Sequence, residues 1–279
     1  MSVQSRIGTF GPGQGPAAKR PPERFDDDEL EHHIAPNCIY DFDVDQVNGI
    51  HKLRQRIHET VFADDPAEKW SWILGDHFTM GNKKVAKEVA IYNFGGAAHD
   101  CLNLGTEHCQ VDAANCYAVR TEDNYPHPLD ARRRELIIWD HLDPQTFADA
   151  FRHWHGRKRN EVTALRLNES GDFRHRHDLF KVDQVARLLD DIVDVYTYSS
   201  SDWLPWHKID HIVVNRSNQR KDFGARRFEV VDDVSDIPDG GIRCPHDVSD
   251  GEIKCGSCRL CLEEDAGDVY VKNFYADEE

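Results

Sequence analysis

Long apolar runs are missing from this sequence. No stretch reaches the about 18 consecutive apolar residues that a membrane-spanning helix requires, and the mean hydropathy is −0.68. The first residues also lack the apolar segment of a secretory signal peptide. We therefore predict a soluble, cytoplasmic protein that has no membrane partner.

Positive charge is scarce. The chain has 34 Lys and Arg residues against 51 Asp and Glu residues, which gives a formal net charge of −17. This balance argues against a general polyanion binder and is typical of a halophilic protein, whose folded state should weaken on dilution from molar salt. Three segments are nevertheless locally basic, and two of them contain an aromatic residue, so contact with nucleic acid is an alternative. These segments are residues 131–135, 151–160 and 216–227.

The common signatures of hydrolases and nucleotide-binding enzymes are absent too. We find no GxSxG elbow, no Walker loop and no HExxH motif. The chain does contain eight cysteines, grouped as one, three and four. In a reducing compartment such groups are more often ligands than disulfides. We interpret the lone Cys38 as a packing residue.

Three cysteines lie in one Gly-rich loop. A short β-like run, residues 89–93, leads into a loop that contains Cys101, Cys109 and Cys116, and a helix is predicted from Tyr117. Closed structural sites normally have four protein ligands, so three thiolates indicate a metal or cluster site with an open position. The alternative is that these cysteines are buried apolar groups or belong to two separate structural sites.

Four more cysteines lie near the C-terminus, at Cys244, Cys255, Cys258 and Cys261. The last three are separated by two residues each, so that their thiolates can converge on one centre. Four thiolates predict a closed structural or electron-relay site. Its occupant is either an auxiliary [4Fe-4S] cluster or a zinc ion, for which His246 could replace one thiolate.

The apolar pattern predicts an α/β protein. Short strands alternate with amphipathic helices, and a Gly81-Asn82 turn precedes the first of the parallel strands. The strands are predicted at 88–93, 161–167, 194–199, 209–215 and 227–231, and the helices at 50–61, 129–142, 144–155 and 184–193. This order favours a partial β/α barrel or an open parallel sheet. We predict a disordered Gly/Pro-rich and acidic arm over residues 1–35, an α/β domain over 36–240 and a Cys-rich module over 241–279.

Polar residues follow the predicted strands. In β/α folds the site lies at the carboxyl ends of the strands. The second strand ends in residues 168–172, Asn-Glu-Ser-Gly-Asp, and the later strands end in Tyr198 and Asn215. Turn formation alone is the alternative reading of several of these residues.

The runs GNKKVAKEVAIYN, CYA, LRLNESGDF and VYTYS, with the late cysteines, resemble the gene-product-eighty-eight-like family of phages and archaea over residues 80–261. That resemblance implies a viral or archaeal protein, in the host cytoplasm if viral, and no established activity. The same order is more distantly similar to radical S-adenosylmethionine enzymes. Their three cysteines are separated by three and then two residues, whereas seven and then six intervene here.

The second resemblance implies a set of roles. Cys101, Cys109 and Cys116 would hold a [4Fe-4S] cluster, and a second cluster would occupy the late cysteines. Residues that would contact S-adenosylmethionine are Glu169, Ser170, Gly171 and Asp172, with Tyr117 near the adenine. An electron donor and an unidentified substrate, near Tyr198 or Asn215, would be the partners. The competing hypothesis is a noncatalytic, zinc-stapled binding protein that contacts nucleic acid.

Overall fold

The computed structural model describes residues 40, 42–82, 85–109, 111–157, 162–218, 222–223, 225–263 and 266–273. The predicted arm over residues 1–35 and Cys38 lie outside these ranges. The helices are α1 Ile50–Val61, α2 Pro66–Gly75, α3 Tyr117–Asn124, α4 Pro126–His141, α5 Pro144–Gly156, α6 Arg176–Leu189, α7 Pro245–Val248 and α8 Cys255–Cys258. The strands are β1 Thr79–Met80, β2 Val89–Tyr92, β3 Ala164–Leu167, β4 Asp194–Ser199, β5 Val213–Ser217, β6 Arg226–Val231, β7 Ile242–Arg243 and β8 Val269–Lys272.

All eight strands form one open sheet, in the order β1-β2-β3-β4-β5-β6-β8-β7. The β1 strand pairs antiparallel with β2, and every other pairing is parallel. From β2 to β6 the strands follow one another in chain order, so this part of the sheet is wound in a single direction, and the order reverses only at β8 and β7. The predicted α/β class is confirmed, and the sheet is not closed into a barrel.

The two faces of the sheet are covered differently. Ala90, Leu165 and Val195 point to one face, where they join a large aromatic and aliphatic core with the helices. Their chain neighbours point to the other face, which we call the inner face, where Tyr196 packs near Cys261. Because side chains alternate along a strand, both faces are apolar and both are covered. The C-terminal cysteine segment, residues 244–262, therefore packs on the inner face.

Local signals explain most element boundaries. The α4 helix begins at Pro126, after α3 has ended at Asn124. Proline is favoured in the first turn of a helix, because the N–H group that it lacks would have no partner within the helix there. The α6 helix begins at Arg176, eight residues before the predicted start, because the His175 side chain accepts the N–H of Asp178 and caps it. The strands β7 and β8 add the C-terminal segment to the main sheet, a pairing that we did not predict.

Candidate functional site

The three-cysteine loop begins after β2 and ends at α3. Cys101 follows the short 3-10 helix Ala98–Asp100, and Cys116 directly precedes the first residue of α3. The carboxylate of Glu122, one turn into α3, accepts two backbone N–H groups at the start of the loop, at 2.8 and 3.1 Å. The two ends of the loop are therefore joined to each other.

Two ion pairs from α4 also hold this loop. Arg132 pairs with Glu122 at 2.5 Å, and both side chains are almost fully buried. Arg133 contacts both carboxylate oxygens of Asp100, at 2.7 and 2.8 Å. Such bidentate geometry fixes the position of a loop. The basic run over residues 131–135 thus contacts the protein itself.

The three cysteines lie in one neighbourhood, and all are half-buried. Burial raises the pKa of the Cys101 thiol to about 12, and the Asp172 carboxylate adds to this effect. Burial also raises the pKa of Cys109, which Asp172 and Cys116 raise further. Within the described ranges, no group of three or more His, Cys, Asp or Glu side chains is already arranged to hold a metal ion. Metal binding here would require loss of the thiol protons and a closer approach of the sulfurs.

Asp172 connects the cysteine loop to the end of β4. Its Oδ2 accepts from Asn103 Nδ2 at 2.9 Å and from the backbone N–H and hydroxyl of Ser200 at 2.8 and 2.9 Å. Its Oδ1 accepts from the Ser199 hydroxyl and the Phe173 N–H, at 2.7 and 2.8 Å. Two carboxylate oxygens offer about four acceptor positions. Protein donors therefore use the whole acceptor capacity of this carboxylate.

The loop after β3 packs backbone to backbone against the loop after β2. Gly171 has φ +70°, and a Cβ there would lie 2.4 Å from the carbonyl oxygen of Gly95. Asn93 Oδ1 accepts the N–H groups of Glu169 and Ser170 at 2.7 and 3.0 Å. The Ser170 side chain is buried and donates to Glu122 at 3.2 Å. Ser170 and Gly171 thus hold the two loops in register.

Tyr117 and Glu169 are the more accessible members of the predicted cofactor set. Tyr117 is 50% exposed, and its hydroxyl donates to the backbone carbonyl of Glu169. The Glu169 carboxylate accepts from Asn82 Nδ2 at 2.6 Å. Asp172 and Ser170, in contrast, are 6% and 2% exposed. All five predicted residues lie at the carboxyl end of the sheet beside the cysteine loop, and a ligand could reach Tyr117 and Glu169.

Sequence reasoning missed one pair at this site. His108, in the cysteine loop, hydrogen-bonds through Nδ1 to the buried carboxylate of Asp202, which follows β4. This contact is a second link between the loop and the end of β4. The only sequence signal was a histidine next to Cys109, and nothing local indicated its partner 94 residues away.

The four late cysteines line a single cavity of about 30 Å³. Cys244 is buried just before α7, Cys255 and Cys258 are the two ends of α8, and Cys261 lies in the 3-10 helix Leu260–Leu262. A cavity of this volume has room for one water-sized group. Between Cys258 and Cys261 the backbone turns through a left-handed conformation at Arg259, with φ 56°.

The predicted substrate residues lie beneath this segment. Burial raises the pKa of Cys261, and a hydrogen bond from the Tyr198 hydroxyl opposes that shift. Asn215 is fully buried and donates to the carbonyl oxygens of Thr197 and Cys261, at 3.2 and 3.1 Å. Its own oxygen accepts from Arg226. The structure therefore gives Tyr198 and Asn215 packing contacts with the late cysteines.

Residues 72–209 match the family model Gene product 88. This match confirms the first of the two predicted resemblances over that segment. A similarity to radical S-adenosylmethionine enzymes is not shown. No curated protein and no solved structure matches the chain.

The gene product 88 segment contains the first site only. It includes the three-cysteine loop, the loop after β3, strand β4 and the His108–Asp202 pair. Strands β5 to β8 and the four late cysteines lie beyond residue 209. The matched segment thus contains the candidate site, whereas residues 244–262, which pack on the inner face of the sheet, lie outside the match.

The other predicted basic segments also make internal contacts. Arg152 pairs with Asp191, Arg157 stacks over Trp72 at 3.8 Å, and Arg226 donates to backbone carbonyls near Cys261. These three arginines therefore contact the protein itself, and their contacts give no support to the nucleic-acid alternative. No described helix has both the length and the apolar character that crossing a bilayer requires.

Proposed function

We propose that this chain is an iron-sulfur protein of the radical-S-adenosylmethionine-like type, with its open cluster in the three-cysteine loop and an unidentified substrate. One observation carries the proposal. Cys101, Cys109 and Cys116 lie together beyond the carboxyl end of β2, in a sheet whose parallel strands β2 to β6 follow chain order. In barrel-like β/α folds this is the position of the reactive site.

The donor set fits a cluster by its chemistry. Three soft thiol ligands match iron-sulfur or zinc, and three protein ligands leave one position for a small ligand. Such a cluster supplies one low-potential electron to the ligand at its open position. Tyr117 and Glu169, beside the cysteine loop, would supply an aromatic ring and a carboxylate to that ligand. Asp172 would act indirectly, because its five hydrogen bonds hold the cysteine loop against β4.

The second candidate is a noncatalytic zinc-stapled binding protein. The observation that favours it is the small cavity at Cys244, Cys255, Cys258 and Cys261, which has room for a single ion. In this case the late cysteines hold the inner face closed, and the three-cysteine loop is a structural element.

Metal analysis separates these candidates. The protein would be purified without oxygen in high salt and analysed for iron, acid-labile sulfide and zinc, together with its visible spectrum. We expect a brown protein with about four to eight irons, because each cubane site holds four. A triple Cys101/Cys109/Cys116→Ala variant should lose the cluster of the first site only, and Cys38→Ser serves as the control.

The opposite result is equally clear. A colourless protein that contains one or two zinc ions and takes up no iron during reconstitution would exclude the cluster enzyme. The same spectrum in the triple variant and in the unmodified chain would show that the three-cysteine loop binds no cluster.

A further inference from the structure

One cation on the inner face of the sheet forms no ion pair with any residue that the structure describes. Arg166 is the third residue of β3, and its neighbours in register are Ile91 on β2 and Tyr196 on β4. These neighbours are a buried aliphatic residue and a buried aromatic residue. A guanidinium is rare at such a position, because burying a charge is unfavourable unless the charge is paired.

The contacts of Arg166 do not neutralise it. Its guanidinium lies over the ring of Tyr198, 4.7 Å from the ring centroid, and its Nε is buried without a hydrogen-bond partner. Within the described ranges it forms no ion pair. Desolvation by burial acts to lower the pKa of Arg166 and the Glu169 carboxylate helps to raise it, but the hydrogen bond that this carboxylate accepts comes from Asn82 Nδ2. A ring quadrupole offsets only part of the desolvation of a cation.

The position of Arg166 also indicates an accessible space. Arg166 and Tyr198 are only partly buried, although paired strands flank them on both sides. Their exposed surface must therefore open toward the inner side of the sheet. Tyr117, half exposed next to Cys116, lies near the same guanidinium: burial raises the pKa of its phenol, and Arg166 opposes that shift. Because Tyr117 adjoins Cys116 and Tyr198 hydrogen-bonds to Cys261, the exposed surface of Arg166 lies between the two cysteine groups, and we call this surface the cleft.

We propose that Arg166 is the anion-binding residue of this cleft and pairs with the carboxylate or phosphate of a small ligand. The planar guanidinium, with Nε and the terminal nitrogens on one edge, suits two parallel hydrogen bonds to such an oxyanion. The tyrosine rings of residues 117 and 198 provide an apolar wall for the remainder of the ligand. This inference goes beyond the proposed metal chemistry and does not depend on what the cysteines hold.

Arginine side-chain NMR tests the proposal on the full-length protein. Formate and inorganic phosphate would be titrated separately, at constant ionic strength in potassium chloride, while the Nε–H resonances of [15N]arginine-labelled protein are recorded. The Arg166 signal is assigned from its absence in Arg166→Gln. We expect a saturable shift of that signal with one of the two anions, and the better anion identifies the ligand class. The matched control, Arg152→Gln, removes an exposed paired arginine and should retain the shift.

Thermal unfolding in chloride provides an independent measurement. Because the unpaired charge destabilises the ligand-free protein, Arg166→Gln should unfold at the same or a higher temperature and should lose the stabilisation by the preferred anion. A marked fall in unfolding temperature for Arg166→Gln would show that Arg166 is a structural cation and would overturn the proposal. Equal stabilisation of both proteins by the anion, or no saturable shift with either anion, would also overturn it.

Discussion

Replacing Asp172 with asparagine should release the cysteine loop from the end of β4. The carboxylate accepts five hydrogen bonds, three at Oδ2 and two at Oδ1. An amide keeps one oxygen, so at least two donors lose their acceptor. At about 1.5–3 kcal/mol for each hydrogen bond to a charged group, Asp172→Asn should lower the free energy of unfolding by about 3–6 kcal/mol.

Urea unfolding in molar potassium chloride measures this loss, and the rate at which a thiol reagent modifies Cys101 reports on loop opening. The matched variant Ser200→Ala removes one hydroxyl donor and should cost about 1 kcal/mol, with little change in thiol reactivity. A fall in the free energy of unfolding of less than about 1 kcal/mol, the value of a typical neutral hydrogen bond, with Cys101 still protected from the reagent, would contradict this reasoning. The hydrogen bonds of Asp172 would then not be what holds the loop.

Three further results are expected. Gly171→Ala should lower the free energy of unfolding in urea by at least about 2 kcal/mol, from left-handed strain and overpacking, because its Cβ would lie 2.4 Å from a backbone oxygen. The control Gly156→Ala places its Cβ with nothing within 4 Å and should not destabilise the protein. Equal effects of the two substitutions would contradict the argument. Burial lowers three histidine pKa values to about 4; these residues are His77, His141 and His177. As the pH falls from 6.5 to 4, the unfolded chain takes up protons that these rings resist, and burial lowers the pKa of His175 as well. Burial raises the pKa of Glu135 to about 7, which opposes this trend. The free energy of unfolding should therefore fall by about 3 kcal/mol per pH unit where the profile is steepest, and a flat profile would contradict the buried histidines. The unfolding midpoint should fall on dilution from molar salt, because 51 acidic residues repel one another, and full stability at low salt would refute halophilic adaptation.

The sequence predicted strands and helices correctly where the periodicity of the apolar residues and the flanking turn or capping residues indicated the same limits. The strand Asp194–Ser199 was predicted with its observed limits, because its aromatic and β-branched residues are bounded by turn residues. The helix Arg176–Leu189 was predicted too short, since its first turns contain charged residues that are buried through ion pairs, such as Asp178. The periodicity of apolar residues alone assigns such charged residues to a loop.

The sequence predicted which strand ends carry the site residues, but it did not predict the contacts of their side chains. The carboxyl-end rule placed the cysteine loop beside residues 168–172, and the structure brings them together. The rule gives no information about what a polar residue contacts. Asp172 was therefore predicted to meet a cofactor, and its carboxylate proves to be filled by protein donors. Likewise, the C-terminal segment that covers the inner face is held by the pairing of β6 with β8, in which Phe228 lies opposite Val269, and no local pattern reports such a distant pairing.

The position of the late cysteines also sets an order of events during synthesis. A ribosome completes β2, β3 and β4, with the three-cysteine loop between them, before it reaches Cys244. Until then the inner face at Tyr196 and Tyr198 has no cover, since the residues that pack on it have not been made. Under the proposed function, delivery of a cluster to the three-cysteine loop would therefore be least hindered on the nascent chain. Once residues 244–262 have packed on the inner face, they border the cleft at Arg166.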